Sequence, residues 1–297
     1  MYEKMYYKQE AGYLSLLEDT LHKGEMRNSR NGNVISQFAC MMNFKNISKS
    51  FPLLTTKKVF FRGVVEELLW FLRGSTSAKE LQEKNIHIWD GNSTREFLDQ
   101  NGLDYEEGEL GPVYGWQWRK FGGQYPDGTN GVDQLKYVLN ELINDTNSRR
   151  AVLSAWNPTD LKKMALPPCH ILYTFYKNKE GLSCHMTMRS SDLFLGLPFN
   201  IASTALLTNI LAHLLHIPAN EITLSLCDAH IYEEHIIPVK IQLERDTFEL
   251  PEIKINKDAP ELTSSVDEKI KWIEELQYED FDLMNYKCHD SIKARML

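Results

Sequence analysis

The sequence has few cysteines and no motif that would join them in pairs. Its 297 residues include five: Cys40, Cys169, Cys184, Cys227 and Cys288. The odd count, the wide spacing and the lack of a CxxC pair argue against both a disulfide framework and a structural zinc site. We therefore expect free thiols, a reducing cytoplasmic location and no metal centre.

An excess of positive charge is also missing, because 33 Lys and Arg residues stand against 41 Asp and Glu residues. A diffuse nucleic-acid binder is normally basic, so this balance argues against DNA as a partner. A few local arginines can still hold a small anion. Residues 1–10 lack the apolar run of a secretory signal, and charges interrupt the longest apolar segments. We therefore expect neither secretion nor a membrane span.

Glycine-rich nucleotide loops are absent as well. Neither GxGxxG nor a Walker-type motif occurs, so a dinucleotide or ATP site has no support. Internal repeats and low-complexity linkers are also missing. The length allows one large domain or two ordinary ones, and the hydrophobic fraction of 42% is enough for a substantial core.

What the chain does contain is an irregular alternation of helical and strand-like segments. The apolar spacing predicts helices near 13–21, 64–72, 132–142, 201–215 and 269–276, with more helix from 230. Strands are predicted at 34–44, 151–156, 171–176, 182–188 and 222–226, and a surface loop at 256–267. Because no regular βαβ rhythm appears, the pattern favours an α+β fold over a doubly wound sheet.

The segment Leu166-Pro167-Pro168-Cys169-His170 is the first candidate for chemistry. Two prolines restrict the backbone before the cysteine, which suits a nucleophile that must meet a carbon atom at one angle. An isolated free cysteine is, however, more often a buried packing residue.

Arginines form the second set of candidates. Arg149 and Arg150 precede a predicted strand, Arg189 and Ser190 follow one, and Arg30 lies in a turn-like segment. Guanidinium forks bind phosphate with two hydrogen bonds, and serine hydroxyls can complete the shell. For any single arginine, a surface ion pair is the commoner role.

Several polar residues lie at the edges of apolar segments. Asn200 enters a long apolar helix, either as a helix cap or as a carboxamide that matches a uracil edge. His230 and Tyr232 lie close together on a predicted turn or helix start, where either is most often structural. Glu66 and Glu67 lie inside an apolar helix; one could face solvent, whereas a buried one would have a raised pKa and could relay protons.

Together, these segments resemble the thymidylate synthase family, in the family's order, from about residue 13 to residue 293. The longest matches are at 51–57, 67–71, 111–115, 155–158 and 164–170, followed by 189–200 and 228–232. The resemblance implies a single α+β domain over 1–297. It also implies a large mixed β-sheet packed by helices, with the back face of the sheet forming a homodimer interface.

The resemblance further implies that Cys169 adds to C6 of dUMP and makes C5 a carbon nucleophile. The implied phosphate ligands are Arg30, Arg189 and Ser190, with Arg149 and Arg150 donated by the partner subunit. Asn200 would read the pyrimidine edge, and His230 and Tyr232 would bind the deoxyribose hydroxyl.

The remaining implied roles concern proton transfer and folate. Glu67 would organise proton transfer at O4, Tyr114 would lie near the cysteine, and His170 would support the pyrimidine pocket. The implied contacts of the co-substrate, 5,10-methylenetetrahydrofolate, are Trp89, Asn92 and Asp192. Folate would supply a methylene group and then a hydride, which yields dTMP and dihydrofolate without a metal.

The sequence also departs from the family pattern. The phosphate loop at Arg30 is shorter, Met188 replaces a glutamine, Thr204 replaces a tyrosine, and Leu226-Cys227 replaces a glycine-containing step. The C-terminal tail is one residue short, and a tail that closes poorly would admit water. A dUMP hydroxymethylase, in which water quenches the methylene intermediate, is therefore an alternative.

Two further alternatives belong to other functional classes. A non-catalytic nucleotide- or RNA-binding homologue would lack the nucleophile or the phosphate arginines, and both are present. A DNA cytosine-5 methyltransferase also uses a Pro-Cys nucleophile, but it needs an S-adenosylmethionine loop and a basic cleft.

Overall fold

The computed structural model describes residues 6–296. Its α-helices are α1 Gln9–Lys23, α2 Phe61–Leu72, α3 Lys79–Gln82, α4 Asp90–Ser93, α5 Arg95–Gln100, α6 Tyr114–Lys120, α7 Gln134–Asn144, α8 Gly196–Leu214, α9 Ile236–Leu243 and α10 Val266–Glu274. Its strands are β1 Tyr6–Lys8, β2 Glu25–Ser29, β3 Gly32–Lys45, β4 Val152–Ser154, β5 His170–Asn178, β6 Gly181–Met188, β7 Ser191–Asp192, β8 Ala219–Tyr232, β9 Glu252–Ile255 and β10 Phe281–Met284. Short 3-10 turns cover Leu161–Lys163, Glu233–His235 and Tyr278–Asp280.

One large mixed sheet dominates the fold. Its order is β1-β3-β8-β6-β5-β4, with β2 paired to β3 and β7 paired to β8. The pairs β1/β3, β6/β8 and β7/β8 are parallel, whereas β3/β8, β5/β6 and β4/β5 are antiparallel. A large mixed sheet packed by helices confirms the predicted α+β class.

Helix α8 lies at the centre of the core and contacts β6 and β8. It is long and apolar enough to cross a membrane by length and composition, but 83% of its most apolar window is buried inside the protein. The expectation that charges interrupt every long apolar segment was therefore wrong. The helix is apolar all round because it is surrounded by protein on most sides.

The structure extends or moves several predicted elements. Helix α8 begins at Gly196, about one turn before the predicted start, so Asn200 lies inside the helix and is not its cap. Strand β8 continues through the predicted turn and ends at Tyr232. The strand continues because β3 and β7 pair with this polar stretch. Val132 lies outside α7, which begins at Gln134.

The face of the sheet that does not pack on α8 carries exposed apolar side chains. Phe38 on β3 is 79% exposed, and Met41 and Tyr176 are exposed as well. His185 on β6 is exposed on its strand, where its Nε2 lies 2.7 Å from Ser225 Oγ. Met41 alternates with Cys40 and Met42, which are buried in the core. Ala39, with a φ of 62°, interrupts this alternation between Phe38 and Cys40.

Candidate active site

Cys169 lies immediately before β5, and Arg189 lies immediately after the neighbouring strand β6. The Arg189 backbone N–H donates to the Cys169 carbonyl at 2.9 Å. Its guanidinium Nε donates to the Pro168 carbonyl at 2.7 Å, and Nη2 donates to the Pro167 carbonyl at 2.9 Å. Arg189 therefore fixes the segment that carries the candidate nucleophile.

The Cys169 thiol lies in a half-buried position with cationic and hydroxyl neighbours. Its Sγ is 3.8 Å from Arg189 Nη2. Burial raises the pKa of Cys169, while the charge of Arg189, a hydrogen bond from Tyr114 and the charge of Arg30 oppose that rise. Because a cation near sulfur favours the thiolate, Arg189 and Arg30 are the groups that would help this thiol act as a nucleophile.

Tyr114 connects the cysteine to the apolar floor of the pocket. Its hydroxyl accepts a 2.7 Å hydrogen bond from the Cys169 backbone N–H. The His170 ring stacks on Tyr114 with centroids 4.1 Å apart and planes 23° apart. Burial lowers the pKa of His170 to about 3, so its imidazole is neutral at physiological pH.

Glu67 is the candidate proton relay on α2. Its Oε1 accepts a 2.8 Å hydrogen bond from Trp89 Nε1, and this bond lies within the aromatic cluster formed with Phe71 and Tyr114. Burial raises the pKa of Glu67 to about 7, and the bond from Trp89 only partly offsets that rise. Glu66 is not solvent-facing either, because it is buried and pairs with Lys84 at 2.6 Å.

Asp192 lies on β7, on another side of the pocket. Its Oδ1 accepts from the Phe194 N–H at 2.9 Å, while Oδ2 accepts only a longer 3.3 Å bond from the Leu195 N–H. Burial alone would raise the pKa of Asp192, but the nearby His235 and the hydrogen bond from the Phe194 N–H lower it. Asp192 is therefore an anion with spare acceptor capacity.

The end of β8 and the β2–β3 hairpin approach each other. His230 Nδ1 lies 3.0 Å from Asp228 Oδ1, and Arg27 donates to Asp228 Oδ2 at 2.9 Å. Burial and Asp192 raise the pKa of Tyr232, whereas an Asn31 hydrogen bond and the charge of Arg30 lower it. The hairpin tip that carries Arg30 thus faces the strand end that carries Tyr232.

The structure brings most, though not all, of the predicted residues together. Arg149 and Arg150 are exposed in the loop before β4, and no contact within residues 6–296 joins them to the Cys169 cluster. Ser190 follows Arg189 in the loop before β7, and Asn200 lies in the first turns of α8. Asn92 lies on α4, where its N–H donates to the Trp89 carbonyl.

Sequence reasoning missed three residues that border the site. Tyr173 contacts His170, His235 lies 3.8 Å from Asp192, and Lys57 donates to the Phe194 carbonyl and lies over the Phe194 ring. Burial lowers the pKa of Lys57 to about 7, against the opposing charge of Asp192. Lys57 lies within the 51–57 match, which was the only available signal.

The departures from the family pattern fall mainly on buried positions. Met188 and Thr204 are each 1% exposed, and Met188 pairs in register with His170 and with Leu226. Cys227 is half-buried on β8. Leu297 lies outside the described residues. The tail before it is held by His235, whose Nε2 lies 2.8 Å from the Arg295 carbonyl.

Comparisons with known proteins agree with this geometry. The thymidylate synthase family model matches residues 11–297. The bifunctional dihydrofolate reductase-thymidylate synthase 1 of Arabidopsis thaliana is 48% identical over 291 residues, which cover 96% of this chain and 54% of that protein. The bifunctional dihydrofolate reductase-thymidylate synthase of Paramecium tetraurelia is 47% identical over 295 residues, which cover 97% and 61%.

The corresponding Zea mays protein is 46% identical over 295 residues, which cover 97% of this chain and 54% of that protein. The chain therefore spans little more than half the length of these curated relatives. Identity over nearly the whole chain, together with the family match, fixes its classification: the chain belongs to the thymidylate synthase family.

Proposed function

We propose that the protein is a cytoplasmic thymidylate synthase that makes dTMP from dUMP and 5,10-methylenetetrahydrofolate. The observation that carries the proposal is the Cys169 thiol, which is held beside Arg189 and Tyr114 immediately before β5. Its thiolate would add to C6 of the pyrimidine, and C5 would then attack the methylene carbon of the co-substrate. Loss of the C5 proton, hydride transfer and release of the thiolate would give dTMP and dihydrofolate.

The nucleotide would lie between Cys169 and the end of β8. Arg189 still has guanidinium donors that do not bond backbone carbonyls, and Arg30 and Ser190 would complete a phosphate site. The Asn200 carboxamide would read the pyrimidine edge. The buried His230 and the half-buried Tyr232 would bind the sugar hydroxyl.

The residues at the other end of the pocket fit a folate. Asp192 offers the spare acceptor oxygen that the N–H groups of a pterin require, and Trp89 supplies an aromatic wall next to Asn92. The folate would supply the methylene group and the hydride. Glu67, whose pKa is about 7, can hold or release a proton near neutral pH, which suits proton transfer at O4.

A homodimer is part of the proposal. The uncovered sheet face carries Phe38 and Met41 on β3 and Tyr176 on β5, and large exposed apolar side chains are common on interaction surfaces. Arg149 and Arg150 are exposed and lie apart from the cysteine of their own chain. A second copy packed on the sheet would allow both arginines to reach the partner's phosphate site.

A product assay tests the proposal. The protein is mixed with dUMP and 5,10-methylenetetrahydrofolate, dihydrofolate is followed by absorbance, and the nucleotide is identified by mass spectrometry. We expect dTMP and dihydrofolate in equal amounts. A Cys288→Ala variant serves as the control. Among the described residues, this half-buried cysteine neighbours Tyr286 and not Arg189 or Tyr114.

Two other outcomes would replace the proposal. Hydroxymethyl-dUMP without dihydrofolate would identify the hydroxymethylase, with Met188 and Thr204 as the places to examine. Neither turnover nor covalent capture of 5-fluoro-dUMP with folate would identify a non-catalytic homologue. The docking of the tail on His235 favours water exclusion and hence the synthase.

A further inference from the structure

A chain of polar side chains crosses the sheet from β2 to the end of β8. Arg27 Nη1 on β2 donates to Asp228 Oδ2 at 2.9 Å, and His230 Nδ1 lies 3.0 Å from Asp228 Oδ1. Arg27 Nη1 also donates to Ser36 Oγ at 3.4 Å, and Ser36 on β3 pairs in register with His230. The Arg27 side chain therefore reaches across β3 and holds the carboxylate that contacts the imidazole.

The direction of both hydrogen bonds to Asp228 follows from the groups themselves. A guanidinium can only donate, so Oδ2 accepts from Arg27. The positive charge of Arg27 favours the ionised form of Asp228, and a carboxylate can only accept. Nδ1 of His230 is therefore the donor to Oδ1, and it carries a proton whether the ring is neutral or charged.

This direction leaves Nε2 of His230 for a ligand. A neutral imidazole has a single N–H, so a proton on Nδ1 leaves a lone pair on Nε2. Within residues 6–296, no hydrogen bond reaches Nε2, and this atom is not among the buried atoms that lack a partner. The other groups beside the ring are Tyr232, whose ring centroid lies 5.2 Å away, and Asp192, which pairs with His230 in register. Nε2 is thus an acceptor suited to a ligand group that can donate, such as a sugar hydroxyl.

We propose that Arg27 and Asp228 are positioning residues that hold His230 as the Nδ1–H tautomer, with Nε2 as the acceptor for the sugar hydroxyl of the nucleotide. They act through His230 and do not bind the nucleotide themselves. The identity of the ligand rests on the proposed function, whereas the tautomer rests only on the contacts of Asp228.

The first test is spectroscopic and needs no turnover. The full-length protein is labelled with ¹⁵N-histidine, and the long-range ¹H–¹⁵N couplings of His230 are assigned through the signals lost in His230→Gln. At about pH 8.5, above the usual histidine pKa of about 6.5, we expect a protonated Nδ1 and a bare Nε2. Asp228→Asn should give a mixture of tautomers, because an amide can both donate and accept. A proton on Nε2 in the unmodified protein at this pH would overturn the proposal.

The second test compares two nucleotides that differ in the sugar hydroxyl. We expect Asp228→Asn to lower kcat/KM for dUMP about tenfold, as for one lost hydrogen bond to a charged group. Arg27→Ala should lower it about threefold, because this variant removes a partly exposed ion pair and leaves the bond between Asp228 and His230 in place. With 2′,3′-dideoxy-UMP, which lacks the hydroxyl, each variant should differ from the unmodified protein by less than about twofold. Equal losses on both nucleotides would show a general structural role and would contradict the proposal.

Lys45→Ala is the matched control. Lys45 and Glu221 form another partly exposed ion pair between β3 and β8, with nitrogen and oxygen 3.7 Å apart, at the opposite end of the two strands. This variant should change neither the tautomer nor kcat/KM for either nucleotide. Arg27→Ala alters an exposed residue of the hairpin, so it keeps the kinetic test available if Asp228→Asn does not fold. If the unmodified protein does not turn over dUMP, the proposed function fails, while the tautomer measurement still decides this inference.

Discussion

The floor and the rim of the pocket differ in how many contacts within the chain hold their side chains in place. The floor comprises Glu67, Tyr114 and His170, which are fixed by hydrogen bonds and ring stacking within the chain. The rim comprises Arg30, Arg149 and Arg150, which are exposed and carry no contact to the thiol among the hydrogen bonds of residues 6–296. Within residues 6–296, the Arg30 side chain donates a hydrogen bond only to the side chain of its neighbour Asn31.

The difference separates the chemistry from substrate capture. Groups that must be aligned during reaction are preorganised, because reorganisation at that moment would cost rate. In the proposed dimer, the groups that bind phosphate would remain hydrated until the anion and the partner subunit arrive. The floor carries displaced pKa values, and the rim would depend on assembly.

The largest expected effect comes from removing the Cys169 sulfur, which lies next to the floor. Cys169→Ala should lower turnover by at least about 10⁴-fold, because no other thiol lies beside Arg189 and Tyr114 in the described pocket. The thermal midpoint should stay close to that of the unmodified protein. Dihydrofolate formation and circular dichroism measure the two quantities. Substantial residual turnover would mean that another group is the nucleophile.

The second effect tests whether the rim belongs to the partner. Arg149→Ala/Arg150→Ala should lose about 10²-fold or more in kcat/KM, since two charge-assisted phosphate contacts disappear. Mixed in equal amounts with Cys169→Ala after reversible dissociation, it should regain about a quarter of the unmodified activity, because one site in each mixed dimer is complete.

The control for this mixture pairs Cys169→Ala with Glu67→Gln. The floor of each site comes from a single chain, so each of the two sites in this mixed dimer carries one lesion and no recovery should occur. Cys169→Ala/Arg149→Ala/Arg150→Ala mixed with the unmodified protein sets the baseline. Failure of the arginine variant to complement would place those arginines in their own chain's site.

The third effect measures the free-energy cost of the preorganised floor. The folded-state pKa of Glu67 is about 7, above its usual 4.5, so folding stability falls as pH rises from about 4.5 to 7. Glu67→Gln should remove this slope, so above pH 7 its stability should rise relative to the unmodified protein by no more than about 3 kcal/mol.

Urea unfolding at pH 5 and pH 8 measures this difference. Glu66→Gln is the matched control. The Glu66 carboxylate pairs with Lys84, so this variant should lose stability at both pH values. A pH-independent difference for Glu67→Gln would show that Glu67 is not protonated in the folded protein near neutrality.

The smallest effect concerns the C-terminal tail. Burial alone would lower the pKa of His235, but the nearby Asp192 carboxylate and the hydrogen bond to the Arg295 carbonyl raise it. The tail contact is therefore strongest below the usual pKa and weakens as pH rises through the folded value. His235→Ala should reduce hydrogen-exchange protection of residues 290–296 about fivefold, as for one lost hydrogen bond.

His216→Ala is the control for the tail, since His216 makes a similar bond to the Pro260 carbonyl far from residues 290–296. In the unmodified protein, tail protection should fall as the pH rises above the usual histidine pKa of about 6.5. Equal protection in both variants would contradict the role of His235.

The sequence predicted local structure well where the local pattern was strong. Helix α1 ends before Gly24 as the spacing indicates, and Val34 to Phe44 lies within β3. The end of β8 was missed, because the polar sequence from Asp228 is typical of a turn. Only the pairing with the neighbouring strands, which the sequence does not show, makes this stretch part of the strand.

Contacts between distant segments were the harder part of the site. The resemblance pointed to Cys169 and Arg189, and the structure brings their side chains to 3.8 Å. It gave no reason to prefer Tyr173, since a tyrosine at an alternating strand position reads as core. The resemblance selected Glu67, whereas the residues alone left Glu66 and Glu67 open because both lie in one apolar run.

Arg189 holds the carbonyls of Pro167 and Pro168, and in the proposed enzyme the same side chain would also bind the substrate phosphate. A phosphate on its remaining donors would act on the planar group that fixes the backbone before Cys169. Phosphate binding would thereby influence the alignment of the Cys169 sulfur. A nucleoside without its phosphate would forfeit alignment of the attack as well as affinity, and both kcat and KM should register the loss.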